Sequence, residues 1–369
     1  MKLGTYVLSF YRKGLSMDYL ILAINPGSTS TKVALYKNEG EIFNESISHP
    51  HTEIEKFDSI LHQAPLRMKA VVDTLEKHGY KPEDLSIVMG RGGMLPPVKV
   101  GGYKVNDKML QLFYSEQLQQ HASNLGAVLA NNIAKTVGIE AYIYDAVTAC
   151  EFPPVAKITG MKEIERRSFY HVLNCRAVSI RYAESIGKKY EDVNLLVTHL
   201  GGGITVGAHC KGKIIDSLAD DNGPFAPERA GSVPLLDVID MCYSGDYTKR
   251  DMIKKVRGMG GLRALLGTSD GREIQKLIES GDKHAALVME AQAYQIAKGI
   301  ALMSPALRGD CDAIIVTGGL AFNTYLVEDV KKYISWLGEI VVMPGEFEME
   351  ALALGGLRIL RNEETVNEL

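Results

Sequence analysis

The sequence lacks several features that would settle a function early. Its five cysteines, at 150, 175, 210, 242 and 311, include no CxxC pair. That argues against a thiolate zinc site and against a disulfide framework. No long basic run is present, and 41 basic residues stand against 45 acidic ones. Neither nucleic acid nor an anionic membrane is therefore expected as a partner. No uninterrupted apolar stretch is long enough to span a bilayer. Residues 1–16, MKLGTYVLSFYRKGLS, place Arg12 and Lys13 after the apolar part, the reverse of a secretory signal. They read as an extension, or a misplaced start ahead of Met17, and a cytoplasmic compartment is expected. The P-loop pattern GxxxxGK[ST] is missing too, so phosphate binding at that motif is excluded.

What is present is 369 residues with 46% hydrophobic content, enough for two domains with filled cores. The chain is organised around residues 20–36, LILAINPGSTSTKVALY. Two apolar runs joined by Pro26, Gly27 and serines read as a β-hairpin. Alternation along an extended strand puts Ser28, Ser30 and Lys32 on one side. Small hydroxyls, Gly27 and closely spaced backbone N–H groups suit a polyanion, with Lys32 or Asn25 to help neutralise it. An ordinary solvated turn is the plain alternative.

A third strand, EIFNESI, follows a turn at 37–40. Residues 53–79 have a helical pattern broken near Pro65, and 85–93, LSIVMGRGG, form a strand that stops at Gly90, Arg91 and Gly92. An amphipathic segment at 108–137 precedes AYIYDAVTA, a strand with Asp145 near its end. Alternating strands and helices imply a largely parallel, helix-covered sheet. FPPVAK (152–157) is the expected crossover, and 161–186, with Arg166, Arg167 and His171, is expected to be helical. Residues 195–216, LLVTHLGGGITVGAHCKGKIID, then repeat the layout of the opening, with His199 in place of Asn25. Such self-similarity suggests a duplicated fold with two facing domains. Residues 219–232 read as loop, 271–308 as helical, 311–323 as a buried strand ending in a Gly–Gly turn, and 350–363 as a terminal helix. Asn25, Arg91, Asp145, His199 and Gly318 all fall at C-terminal ends of expected strands, the edge where open α/β sheets bind ligands.

The GGGITVG run is followed by β-like residues, not by the helix a dinucleotide fingerprint requires. A phosphoryl-transfer site needs positioning and charge neutralisation more than covalent chemistry. Arg91 and Arg229 supply planar forks for a carboxylate or phosphoryl group, although Arg91 could be a surface pair and Arg229 could bind its neighbour Glu228. Asp145 and Glu350 are candidates for magnesium, with Glu346 and Glu348 as alternatives to Glu350. An Asp at a strand end can equally cap the following segment. His171 and His199 could donate to a transferring phosphoryl group. His49, His51, His62, His78, His121, His209 and His284 have no such setting.

Together, NPGSTSTK (25–32), GRGG (90–93), YDAVTA (144–149), RRSFYH (166–171), THLGGG (198–203), PERAGS (227–232), TGGLAFN (317–323) and EMEALALGG (348–356) resemble the acetate and butyrate kinase family, within the actin-like ATPase superfamily. They span nearly the whole chain in order. The resemblance lies nearest the butyrate kinase branch. After His171 the chain has VLNC where acetate kinases have a GTSH-type run, its second arginine lies in PERAGS, and TGGLAFN lacks a glutamate.

The resemblance implies an α/β fold of two RNase H-like domains, 18–152 plus 352–369 on the acyl side and 153–351 on the nucleotide side, around a cleft. It implies ATP or ADP with magnesium as cofactors and a short-chain acid as substrate, and a homo-oligomer, dimer or higher, is the default for such enzymes. Arg91, Asp145, His171 and Arg229 fall on catalytic positions, and Asp145 and Glu350 on metal positions. Asn25, Gly27, Ser28, Ser30, Lys32, His199, Gly201, Gly202, Gly203, Gly318, Gly319 and Asn323 fall on nucleotide positions. The acyl chain is expected near Arg91, Gly93, Tyr170, Pro224 and Phe225. Rival readings are an acetate, propionate or branched-acid kinase, and a non-catalytic actin-like nucleotide switch.

Overall fold

The computed structural model describes residues 18–369 apart from 116 and 119, and the expected extension at 1–17 lies outside the described residues. The opening stretch folds as β1 (Leu20–Pro26), β2 (Ser30–Lys37) and β3 (Gly40–Ser48), paired antiparallel in sequence. Ile21, Leu22, Ala23 and Ile24 are all fully buried, because a strand covered on both faces is apolar at every position. β4 (Ile87–Arg91), β5 (Gly102–Lys104) and β6 (Ala141–Tyr144) complete a sheet of order β3-β2-β1-β4-β6-β5. β4 runs parallel to both β1 and β6.

A second sheet contains β7 (Asn194–Leu200), β8 (Ile204–Cys210), β9 (Lys213–Leu218), β10 (Ala313–Gly318) and β11 (Ile340–Pro344). Its order is β11-β10-β7-β8-β9. Read from the hairpin side, β9-β8-β7-β10-β11 matches β3-β2-β1-β4-β6 in both order and direction of pairing. Even the irregular register recurs, between Leu35 and Tyr36 in one sheet and between Ala208 and His209 in the other. The repeat expected at 195–216 therefore extends across the whole sheet.

Helices cover both sheets, and glycine sets how closely they approach. A Cβ on Gly90 would lie 2.2 Å from the Gly126 carbonyl oxygen, and one on Gly126 2.3 Å from that of Arg91. The helix Leu125–Val137 thus rests directly on the strand that presents Arg91. The terminal helix Glu348–Leu360 packs on β1 and β4. At the sheet edge the backbone of Asn367 pairs with Gly102 and Lys104 of β5.

Several expectations change. Pro65 does not break a helix but sits in the first turn of Ala64–Lys77, where its missing N–H has no partner to lose. The described residues of 108–137 fold as separate helices, Asp107–Tyr114 and Leu125–Val137, with a 3-10 turn at Ala122–Asn124. Only Val172–Ser185 of 161–186 is helical. The stretch before it is held by side chains instead, Arg166 donating to Asp216 (2.7 Å) and to the Ala156 and Ser217 carbonyls. Three short helices between 235 and 266 were not anticipated, and Leu235–Tyr243 buries none of its residues.

Candidate active site

The C-terminal ends of β1, β4 and β7 open onto one cavity of about 240 Å³. Asn25, Gly27, Ser30, Lys32 and Arg91 line it from the first sheet, and His171, His199, Gly201, Gly202, Glu346 and Glu348 from the other side. Asn25 donates through Nδ2 to Glu348 Oε2 at 2.6 Å. Arg91 Nη1 donates to Asn25 Oδ1 and to the same glutamate oxygen, both at 3.1 Å. Lys32 Nζ meets Glu346 at 2.7 Å. Each cation from the first sheet is therefore matched by a carboxylate from the segment after β11.

The tautomer of His199 follows from its partners. Asn174 Oδ1 accepts from the Phe347 amide at 2.8 Å, so its Nδ2 must donate to His199 Nδ1 at 3.0 Å. The ring proton of His199 then sits on Nε2, next to Gly201, whose Cβ would lie only 2.9 Å away. His171 stacks on His199 with centroids 3.9 Å apart and planes within 10°, and its Nδ1 bonds Thr205 Oγ1 at 2.9 Å. Burial pushes the His199 pKa down to about 4. Burial, His199 and the nearby Arg91 and Arg229 push His171 down too. Both rings are neutral hydrogen-bonding groups at neutral pH.

Arg229 and Arg257 are held together by buried Asp220, which accepts from Arg229 Nε and Arg257 Nη2, each at 2.8 Å. Gly203 packs against that aspartate, which ties the glycine turn to the arginine pair. His121, set aside in the sequence, bonds Ser123 through Nδ1 and lies close enough to feel these arginines. Desolvation and the charges of Arg91, Arg257 and Arg229 all lower its pKa. Arg257, Asp220 and His121 were missed. Asp220, just beyond β9, could have been suspected as another polar residue near a strand end, whereas Arg257 carries no local signal.

Other expected residues do not line this cavity. Asp145 is buried, with its carboxylate accepting from the Gly101 amide (2.7 Å) and from Arg176 (3.2 Å). Glu350 pairs with Arg181 at 2.6 Å, and both glutamate and aspartate border a separate small cavity under the terminal helix. Of the three candidate glutamates, Glu346 and Glu348 face the cleft and Glu350 does not. Tyr170, expected near the acyl chain, is a core residue whose hydroxyl donates to the Val197 carbonyl while its ring presses on Gly207. Phe225 packs with Leu262, Ile274 and Val288, and Pro224 against Gly299. Gly93 is closed in by Asn124 and Phe113. Asn323 caps the helix Thr324–Ile334. Gly318 exchanges backbone hydrogen bonds with Gly345, leaving Gly319 exposed at the turn. Ser28 is exposed at the hairpin tip.

Buried neutral histidines make stability depend on pH. His209, bonded by Tyr170, Tyr190 and Ser179, is lowered to about 3 by burial. An unfolded histidine protonates near 6.5, so below that pH the unfolded chain binds more protons than the native one. The contribution of these rings is complete above about 6.5 and is lost as pH falls through about 4 for His199 and about 3 for His209. The urea midpoint is expected to be lower at about pH 5 than at about pH 7. An equal midpoint would contradict neutral burial.

Residues 126–343 match the acetokinase family. Among solved structures the chain is similar to the acetate kinase of Porphyromonas gingivalis, with 19% identity, 93% of this chain and 100% of that one covered, and a TM-score of 0.76. A propionate kinase from Francisella tularensis subsp. tularensis SCHU S4 gives 17% identity, 91% and 98% coverage and a TM-score of 0.72. Acetate kinase from Entamoeba histolytica gives 15%, 90% and 97%, and 0.72. At these identities the likeness establishes the fold, the two-domain actin-like ATPase fold.

Proposed function

The chain belongs to the acetokinase family, and we propose that it reversibly transfers the γ-phosphoryl group of MgATP to the carboxylate of a short-chain fatty acid, with butyrate preferred. The observation that carries this reading is the single cavity at the strand ends, where two glycine turns, Lys32, Arg91 and two neutral histidines converge. The departures at VLNC, PERAGS and TGGLAFN favour butyrate, while the family and the solved relatives support acetate or propionate equally. We assign 18–152 with 352–369 to one lobe and 153–351 to the other.

The chemistry suits the residues. A short fatty acid has a pKa near that of Glu, about 4.3, and is ionised at neutral pH, so its attacking oxygen needs no general base. The obstacle is bringing one anion against another, which fixed cations and N–H groups relieve. In this proposal Arg91 orients the carboxylate, while Arg229 and His171 meet the charge developing on the transferring group. The Gly27–Ser30 and Gly201–Gly203 turns bracket the phosphates, with adenosine towards Gly318 and Gly319.

Magnesium takes oxygen ligands and keeps waters and phosphates in its shell. Among the described residues no group of three or more metal-ligating side chains could hold an ion unaided. Glu348, seconded by Glu346, suits a metal that arrives with the nucleotide, in place of Asp145 and Glu350. When bound, the metal neutralises charge on the phosphates. Glu348 now engages Arg91, so a carboxylate turned towards the metal leaves that guanidinium for the acid.

Incubating the chain with MgATP and a panel of acids, and trapping acyl phosphate as hydroxamate, tests the reading. Butyrate is expected to rank first, with overlap among neighbours because one methylene is worth only about 1–3 kcal/mol. No hydroxamate with any acid would refute it. ATP hydrolysis indifferent to acid would favour a nucleotide switch.

A further inference from the structure

Behind the β1–β2 turn stands an arginine that does not line the cavity. Arg67, on the helix Ala64–Lys77, is fully buried. Its Nη1 donates to the carbonyls of Gly27 (2.8 Å) and Ser30 (2.9 Å) and to Thr31 Oγ1 (3.1 Å). Its Nη2 donates to the Ser28 carbonyl (2.9 Å) and Gln63 Oε1 (2.8 Å), and Nε to that same Gln63 oxygen (3.1 Å). No carboxylate pairs with it among the described residues, and burial alone lowers its pKa. A buried cation without a counter-charge is costly in a folded protein.

The turn itself explains what the arginine does. The fourth carbonyl, that of Thr29, accepts from the His49 amide at 2.8 Å. All four carbonyls from Gly27 to Ser30 are thus engaged by protein donors. The amides of Ser28 and Thr29 make no hydrogen bond among the described residues. Consecutive unspent N–H groups form the concavity that binds anions. A carbonyl rotated outward at any of these positions would repel a phosphate oxygen.

We infer that Arg67 is a positioning residue of the phosphate turn: it holds the carbonyls of Gly27, Ser28 and Ser30 inward, leaving amides for the nucleotide, and its unpaired charge attracts the polyphosphate through the turn. The inference rests on the nucleotide reading of the cavity given above. The nucleotide's own charge is then the counter-ion that the protein does not supply.

Two variants separate this role from simple anchoring. Gln63→Glu places a carboxylate where Gln63 already accepts both bonds, so contacts stay while the charge is cancelled. Arg67→Lys keeps the charge but reaches fewer carbonyls. In the full chain, MgATP affinity is read by titration calorimetry, and KM for MgATP and for the acid by initial rates. Circular dichroism melting is the control for folding. Gln63→Glu should weaken MgATP roughly five-fold with no fall in melting temperature, because the buried guanidinium gains a partner. Arg67→Lys should weaken MgATP about ten-fold or more, with KM for the acid within roughly two-fold of wild type in both variants.

Wild-type MgATP affinity in either folded variant would overturn the inference. So would parallel increases in both KM values. A wild-type chain that binds MgATP but phosphorylates no acid would refute the acid-kinase reading alone, and MgATP affinity would still judge Arg67. A wild-type chain that binds no MgATP would overturn both.

Discussion

Replacing Arg229 by alanine is expected to lower kcat for acyl phosphate formation by roughly a hundred-fold or more, with a much smaller change in KM for MgATP. The geometry separates the two ends of this guanidinium. Nε is committed to Asp220 at 2.8 Å, and Nη1 reaches the Glu228 carbonyl at 3.2 Å. Nη2 makes no hydrogen bond among the described residues, and the charge is close enough to depress His171 and His121. A fork pinned at one edge and unspent at the other is preorganised for charge that appears only in the transition state, and loss of such a donor falls mainly on kcat. Arg229→Lys keeps a charge without the planar fork and should recover only part of the rate. Initial-rate hydroxamate assays with each substrate varied check both variants. A kcat within a few-fold of wild type for the alanine variant would remove Arg229 from the reaction.

The second large effect is on stability. Asp145→Asn should destabilise the protein by about 3 kcal/mol or more, since breaking a buried pair leaves the other charge uncompensated. Side chains of Asp145 and Arg176 are 2% and 13% exposed. Asparagine keeps an acceptor for the Gly101 amide and tolerates the left-handed backbone at this position, φ 45°. The substitution therefore tests charge and not backbone geometry. Glu364, 3.8 Å from Arg176, and the Tyr144 hydroxyl at 2.8 Å soften the loss without removing it. Urea unfolding of both proteins measures it. A variant as stable as wild type with a weakened magnesium requirement would instead return Asp145 to the metal role its place in the sequence suggested.

The sequence was most informative where structure is local. Turn chemistry and alternation are short-range, so both hairpins, their order and the strand-end placement of Asn25, Arg91 and His199 could be read directly. What failed needed the third dimension. Glu348 and Glu350 lie two residues apart on one helix, hence about 200° apart around its axis, and nothing local fixes which faces the cleft. Arg257 reaches Asp220 across 37 residues, from a helical region with no recognisable pattern. The resemblance puts Tyr170 near the acyl chain, yet Gly207 leaves the space its ring fills in the core. Gly231, at φ 67°, folds its loop back onto Phe225, and Pro224 borders a different cavity with Ser232 and Gln295, neither of which a local pattern announces. Arg67 left no trace in the sequence, since a lone arginine on an amphipathic helix is expected to face water.

The backbone seam that Asn367 forms along β5 has a practical consequence. It works as a hem, occupying the amide of Lys104 and the carbonyl of Gly102 that would otherwise lie bare at the border of the first sheet. Trimming the chain ahead of that residue would unpick the hem and offer neighbouring molecules a strand to stitch onto. A purification handle joined directly after Leu369 would tug on the same thread.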